Sequence, residues 1–300
     1  MDVRGYADRH MATISEQLVG AALATPNLDE AAHALAGAVD VAYAAAGPSG
    51  ARLKDMLGGT WLGHPLHPAL TDVPVGAWTV ALALDLLGER RGAKIAIGVG
   101  LLGAVGAAAS GLTDWAVTFG KRRKLGVAHA AVNGTATLLY ASSYLLRGRA
   151  DALAIGLSTI GYGLVSLGAL YGGVLSLDWQ IGVNHAHNTD APDDEVDVAA
   201  LSEVPDGGMK RVDAKGYPVL LVRRGGDVYA IAALCGHAGG PLEEGTLDGD
   251  VVRCPWHGSK FCVRDGSIVN GPTAFPQPAF KVRVSGERVL LAGPATPSGP

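Results

Sequence analysis

Apolar residues crowd between about residues 69 and 177 in four long runs, and from about residue 198 they fall into short alternating ones. The long runs, roughly 69–88, 94–112, 125–146 and 152–177, approach or exceed the ~20 residues an α-helix needs to cross a bilayer core. The second and fourth lack the polar face that a helix in a soluble bundle carries, so the pattern predicts membrane helices. Asp72 and Asp85 lie near the ends of the first run. The fourth has no charge and contains Gly168-x-x-x-Gly172, a spacing that lets helix backbones approach closely. Ahead of these, Ile14, Leu18, Ala21 and Ala22 keep helical spacing until Pro26-Asn27, and Asn27 can cap a helix over 28–45 that Gly47-Pro48-Ser49-Gly50 ends. The apolar faces there are weak, and this segment is expected at the membrane surface or against the bundle.

The short runs at 219–222, 228–231, 251–253, 268–269, 281–284 and 289–291 read as strands. Gly225-Gly226, Asp248-Gly249, Asp265-Gly266 and Gly286 punctuate them as turns. The predicted fold class is therefore multi-domain: an all-α four-helix transmembrane bundle followed by an all-β antiparallel sandwich. The boundaries drawn are a helical segment 1–60, a four-span membrane domain 61–183, a polar, acidic linker 184–197, a β domain 198–293 and a disordered tail 294–300.

Composition sharpens this division. The chain is 48% hydrophobic but only 6% aromatic and has 43 glycines, a balance typical of membrane helices packed through small residues. A formal net charge of -4 offers no basic face for phosphates, so nucleic acid is not an expected partner. The first twenty residues carry Asp2, Asp8 and Glu16 without an apolar core and do not read as a signal peptide.

Two of the three cysteines belong to the strongest chemical pattern, Cys235-Gly-His237 followed by Cys254-Pro-Trp-His257. Two thiolates and two imidazoles offered this way suit a [2Fe–2S] cluster with the cysteines on one iron and the histidines on the other. Zinc is the alternative, since it also takes Cys2His2 sets. With the Gly258-Ser259 that follows, the pattern resembles the Rieske family, and the resemblance covers essentially all of the β domain. It implies that Cys235 and Cys254 hold an inner iron and His237 and His257 an exposed outer one. It also implies that Gly258, Ser259, Phe261 and Pro272 surround or cover the cluster.

In the quinol-oxidising members a serine and a tyrosine donate hydroxyls there, and a disulfide pins the loops. Here Ser259 is kept, Phe261 replaces the tyrosine, and Gly240 and Trp256 stand where the disulfide cysteines would be. The resemblance thus points to the ferredoxin-type subgroup, with a lower potential than the respiratory members. Trp256 is expected to be a packing residue and Cys262 a small buried one.

Trp61-Leu-Gly-His-Pro-Leu-His-Pro68 opens the membrane region. Its Gly-His-Pro-Leu-His-Pro motif resembles an uncharacterised bacterial four-helix membrane domain that sometimes precedes a Rieske domain. His64 and His67 lie at its entry and His129 within the third run, one turn before Asn133. Intramembrane histidines are functional candidates, and His67 and His129 could contact a b-type haem or a quinone. The alternative is that they are polar anchors within the bundle.

Arg52, Lys54 and Lys121-Arg122-Arg123-Lys124 flank one side of the spans, and Arg90, Arg91, Lys94, Arg147 and Arg149 the other, a near balance. Export of a folded cluster domain usually needs a twin-arginine signal, which Arg147-Gly148-Arg149 is not. The expectation is a multi-pass bacterial cell-membrane protein with its Rieske domain in the cytoplasm and its oligomeric state open. Its expected role is one-electron transfer with unidentified donor and acceptor rather than stand-alone catalysis, a redox-sensing membrane protein being the alternative.

Overall fold

A computed structural model describes residues 13–187 and 191–295. The chain divides into two compact units, one of residues up to Ala42 with His67–Ile181, the other of Tyr43–Leu66 with Gly182 onward.

The helical unit begins with α1 (Ile14–Leu23), started by a capping box in which Thr13 and Glu16 exchange side-chain-to-backbone bonds. Next comes α2 (Leu28–Ala45). Gly47-Pro48 follows the end of α2 at the expected place. It opens α3 (Gly47–Gly58), because proline suits the first helical turn, where its missing N–H is not needed. Four long helices follow: α4 (Leu66–Leu86), α5 (Arg90–Ala116), α6 (Gly120–Leu146) and α7 (Asp151–Gly173), the last continued by a π-helical turn.

Of these, α4, α5 and α7 with its extension are long and apolar enough to cross a membrane. By that measure the count is three and not the expected four. Helix α6 falls short because Lys121–Lys124, His129, Asn133, Thr135, Thr137, Ser142 and Ser143 dilute its hydropathy. Gly100 and Gly103 let α5 close on α4: a Cβ at Gly100 would lie 2.2 Å from Trp78 Nε1, and one at Gly103 would lie 2.6 Å from Val73. Trp78 stacks on Tyr140 of α6, with ring centroids 4.1 Å apart. Arg147, expected among the flanking charges, is instead buried against Asp85 at 2.5 Å, each side chain 3% exposed.

The second unit contains two antiparallel sheets. One runs β1 (Val196–Ala200), β10 (Arg288–Pro294), β9 (Ala279–Ser285), β4 (Asp227–Ala232), β3 (Tyr217–Arg224), β2 (Met209–Ala214). The other runs β5 (Thr246–Asp248), β6 (Val251–Arg253), β7 (Lys260–Cys262), β8 (Ile268–Asn270). Strand β1 starts inside the stretch read as linker, and β10 reaches Pro294 at the edge of the expected tail. Residues 296–300 of that tail lie outside the described residues.

Strand β3 is buried on both faces, which is why it reads as an unbroken apolar run rather than an alternation. Leu220 and Val222 join Ile231, Val252 and Phe261 in the core shared by the two sheets. Val219 and Leu221 face the other core with Tyr217, Phe280 and Leu291. Helix α3 groups with this β unit and not with the helical one. Its Asp55 Oδ1 accepts the Gly271 N–H at 3.2 Å, corroborating a placement that weak amphipathicity did not reveal.

Candidate metal centre

Two loops carry the four predicted ligands. Cys235 and His237 lie between β4 and β5, and Cys254 and His257 between β6 and β7. Both loops close in the same way. In the first, Cys235 N–H donates to Gly240 O and Gly239 N–H to Cys235 O, each at 2.8 Å. In the second, Cys254 N–H donates to Ser259 O at 2.8 Å and Gly258 N–H to Cys254 O at 3.2 Å. Gly239 and Gly258, four residues after each cysteine, both adopt φ +76°, where a side chain would cost about 1–2 kcal/mol.

Within this shared frame the histidines are offset, two residues after the first cysteine and three after the second. The offset brings the rings together. His237 Nδ1 lies 3.2 Å from His257 Nδ1, and the ring planes are 86° apart. Two nitrogens each bonded at about 2.0–2.1 Å to one tetrahedral metal stand about 3.3 Å apart. Burial, then the charges of His257, His185 and Lys54, lower His237 to about 3. Burial, then Lys54, also lowers His257. Both are thus held as neutral imidazoles, the ligating form.

The cysteines form the other half. Both are buried. Their mutual hydrogen bond, with burial, raises Cys235, and the same bond lowers Cys254 to about 6, so the pair readily gives up a proton. Ser259 is fully buried, and its Oγ has no hydrogen-bond partner among the described residues. It nevertheless lies near enough to Cys235 to favour its thiolate. An unpartnered buried hydroxyl costs about 1–3 kcal/mol, and a cluster sulfur beside it would be its acceptor.

Among the described residues, no three His, Cys, Asp or Glu side chains converge where a single ion could be held. The donors stand instead as two pairs, Cys235 with Cys254 and His237 with His257, the arrangement that a binuclear cluster would take.

The other predicted residues surround this centre. Phe261 is fully buried in the core between the sheets and donates nothing. Pro272 is half-buried in the 271–278 segment, which packs against the second loop: a Cβ on Gly271 would lie 2.6 Å from Ser259 Cα. Gly258 supplies the frame described above. Trp256 lies against the first loop, where a Cβ on Gly240 would be 3.2 Å from its indole, yet it is 56% exposed, with its ring centroid 6.5 Å from that of His257. Cys262 is half-buried rather than buried.

Two supports were not legible beforehand. Gln277, buried, donates through Nε2 to Ala232 O at 3.0 Å and Leu234 O at 2.8 Å. Its Oε1 accepts Gly236 N–H at 2.9 Å, bracing the first loop. The start of the expected linker is also docked there: His185 N–H donates to Gly236 O at 3.0 Å, and Tyr217 Oη–H to Ala186 O at 2.6 Å. A lone glutamine and a polar linker carry no motif that announces either contact.

His67 and His129 lie in the helical unit. His67 Nδ1 is 2.8 Å from Ala107 O, and His129 Nδ1 is 2.9 Å from Gly168 O.

The Rieske [2Fe-2S] domain family matches residues 194–281, and DUF2231, described as a predicted membrane protein, matches residues 63–185. Ferredoxin CarAc of Metapseudomonas resinovorans is 41% identical over 97 residues, 32% of this chain and 91% of its own length. The ferredoxin component of biphenyl 2,3-dioxygenase from Rhodococcus jostii (strain RHA1) is 35% identical over 94 residues, 31% of this chain and 88% of its own. The cytochrome b6-f complex iron-sulfur subunit of Chlorobaculum thiosulfatiphilum is 33% identical over 99 residues, 33% of this chain and 54% of its own. Through its β domain, the chain belongs to the Rieske [2Fe-2S] family, and it carries that domain behind a DUF2231 membrane domain.

Proposed function

We propose that this protein is a membrane-tethered Rieske iron-sulfur protein that transfers single electrons to or from a membrane-associated partner. The observation that carries the reading is the paired donor set, two thiols on one side and two neutral imidazoles with Nδ1 atoms 3.2 Å apart on the other. Cys235 and Cys254 hold the inner iron, and His237 and His257 the outer one. When bound, the [2Fe–2S] cluster supplies one-electron redox chemistry at a potential raised above all-cysteine ferredoxins.

The surrounding residues set the terms of that chemistry. Ser259 directs a hydroxyl at the sulfur side, Gly271-Pro272 covers the second loop, and Trp256 presents an exposed indole beside His257. With Phe261 in place of a hydroxyl donor and glycine at 240, the centre is of the ferredoxin type, in keeping with the names of two of the three relatives above.

Helix α6 completes a four-span bundle. Its hydroxyls are satisfied by helix carbonyls: Thr135 and Thr137 bond back to those of α6, and the buried Ser143 donates to Ala154 O at 2.7 Å. With Arg147 spent on Asp85, six flanking cations remain on the side of Lys121–Lys124 against four on the other. This favours a cytoplasmic cluster domain. The redox-sensor reading finds support in the Asp55–Gly271 bond, which ties the helix preceding the membrane domain to the cluster's cover.

Low-temperature EPR of the dithionite-reduced full chain tests the reading. A rhombic signal of low average g is expected, and it disappears in His237→Ser and in His257→Ser while membrane insertion persists. A wild-type chain loaded with iron and sulfide but lacking that signal sinks the cluster assignment. Survival of the signal in either variant sinks the ligand set. If Asp55→Ala leaves the potential and the electron-transfer rate unchanged but abolishes a redox-dependent change in protease sensitivity, sensing is the better description.

A further inference from the structure

The helical unit holds a second pair of histidines whose arrangement resembles that of metal ligands. His67, in the first turn of α4, and His129, on α6, have ring centroids 6.3 Å apart and ring planes at 79°. Each Nδ1 is tied to a main-chain carbonyl on a different helix, His67 to Ala107 O of α5 and His129 to Gly168 O of α7. A carbonyl accepts, so Nδ1 carries the proton and Nε2 keeps its lone pair; fixing the outer nitrogen in this way is how proteins orient imidazole ligands. Among the described residues, Nε2 of His67 has no hydrogen-bond partner, and that of His129 meets only the Asn133 amide at 3.4 Å.

The rings are seated by glycine. A Cβ at Gly111 would lie 2.6 Å from His67 Cε1, and one at Gly172 would lie 3.2 Å from His129 Cε1. Gly168, the other end of the Gly-x-x-x-Gly pair, is filled by Asn133, whose Nδ2 donates to His129 O at 2.9 Å. All four helices of the bundle therefore contribute to one level of it.

Spacing selects the ligand. Two imidazoles on opposite faces of one metal, each bonded at about 2 Å through a ring nitrogen, have centroids about 6 Å apart. Two side chains are too few to hold a bare ion, and no third His, Cys, Asp or Glu joins them among the described residues. A haem brings four nitrogens of its own and needs only two from the protein. The sequence has no Cys-x-x-Cys-His run, so such a haem would not be covalently attached.

We propose that His67 and His129 are the axial ligands of one b-type haem in the membrane domain, with the perpendicular imidazole planes seen in the structure. Lys121–Lys124 open α6 about one and a half to two turns before His129 and would supply cations at that end for the haem carboxylates. The site does not rest on the cluster assignment, and loss of one leaves the other testable.

The experiment is optical and EPR spectroscopy of the full-length protein, purified in detergent from cells supplied with δ-aminolevulinate. One haem b per chain by pyridine haemochrome is expected, with the sharp α-band of a six-coordinate low-spin haem on reduction. His67→Ala and His129→Ala each lose that low-spin species at least tenfold, while the cluster's EPR amplitude in the same samples stays at wild-type level and reports an intact chain. Added imidazole restores the low-spin spectrum in either variant. In Cys254→Ser the cluster signal goes and the haem band stays.

A wild-type chain that takes up no low-spin haem, even after titration with hemin, overturns the proposal. So does a low-spin spectrum that survives both substitutions, the mark of adventitious haem. A haem-free chain whose cluster is reduced by a quinol analogue only while His67 and His129 are present overturns it in favour of a quinone pocket.

Discussion

The β unit and the helical unit hold polar groups inside apolar matter by opposite means. Around the proposed cluster the grip comes from backbone N–H groups: those of Cys235, Gly239, Cys254, Gly258 and Gly236 are all spent on the loops. In the helical unit those groups are consumed by the helices themselves. What remains is the second lone pair of each carbonyl, so the anchored side chains are donors: His67 on Ala107 O, His129 on Gly168 O, Ser143 on Ala154 O. An irregular loop can thus fix its ligands through its own main chain, whereas along a helix interior it is side-chain donors that find acceptors. The Asp85 carboxylate, buried near the end of α4, is held by side chains instead, Arg147 and Ser158.

The contrast is broken most severely at that ion pair. Arg147→Met leaves the Asp85 carboxylate unpaired and is expected to cost about 3–5 kcal/mol, whereas Asp85→Leu with Arg147→Met recovers most of it. Thermal unfolding of the detergent-solubilised chain, followed by helical circular dichroism, measures both. A single variant as stable as wild type means that water reaches the pair.

Glycine sharpens the comparison from both sides. Gly258→Ala forces a side chain into the left-handed region and should cost about 1–2 kcal/mol, read as earlier thermal loss of the cluster's visible absorbance. Gly163→Ala in α7, where a Cβ meets nothing within 4 Å, should instead be neutral or stabilise by up to about 1 kcal/mol. Equal responses would show that the loops are no more conformationally specialised than the helix.

A smaller effect belongs to Ser259→Ala. Losing a hydroxyl beside the sulfurs should lower the reduction potential by about 60 mV, the equivalent of a tenfold change for one electron. An unchanged potential in a redox titration would mean that the hydroxyl faces away from the cluster.

The smallest is an alkaline one. Burial raises Tyr217 from 10.0 to about 12, so the folded chain keeps a proton that the unfolded chain loses. Its contribution to stability is complete below pH 10 and disappears as pH rises through about 12. Tyr217→Phe should remove that slope from the pH dependence of unfolding, and a slope that persists would locate the proton elsewhere.

The Rieske domain was legible in the sequence through its four proposed ligands and the supports of their loops were not, for a physical reason. Cys235, His237, Cys254 and His257 are rare residue types in short-range spacing, and chemistry restricts what that spacing can hold. Gln277 braces Gly236 from 41 positions away, and a glutamine in a proline-rich segment has no periodicity to betray it. The long helices were visible from hydropathy to within a few residues. Helix α3 groups with the β unit, and its bond to the cover runs through one carboxylate, Asp55, and not through an apolar stripe that a sequence would display. The polar residues of α6 lower its hydropathy while bonding to carbonyls of α6 and α7.

The duplicated loop frame bears on kinetics as well as on binding. Each loop closes on itself through two main-chain bonds and a glycine already in its required conformation, and the first is further clamped by a buried glutamine. Ligands held so firmly have little room to relax when the charge they surround changes by one. In the proposed cluster protein, the nuclear reorganisation that limits electron exchange would then be small.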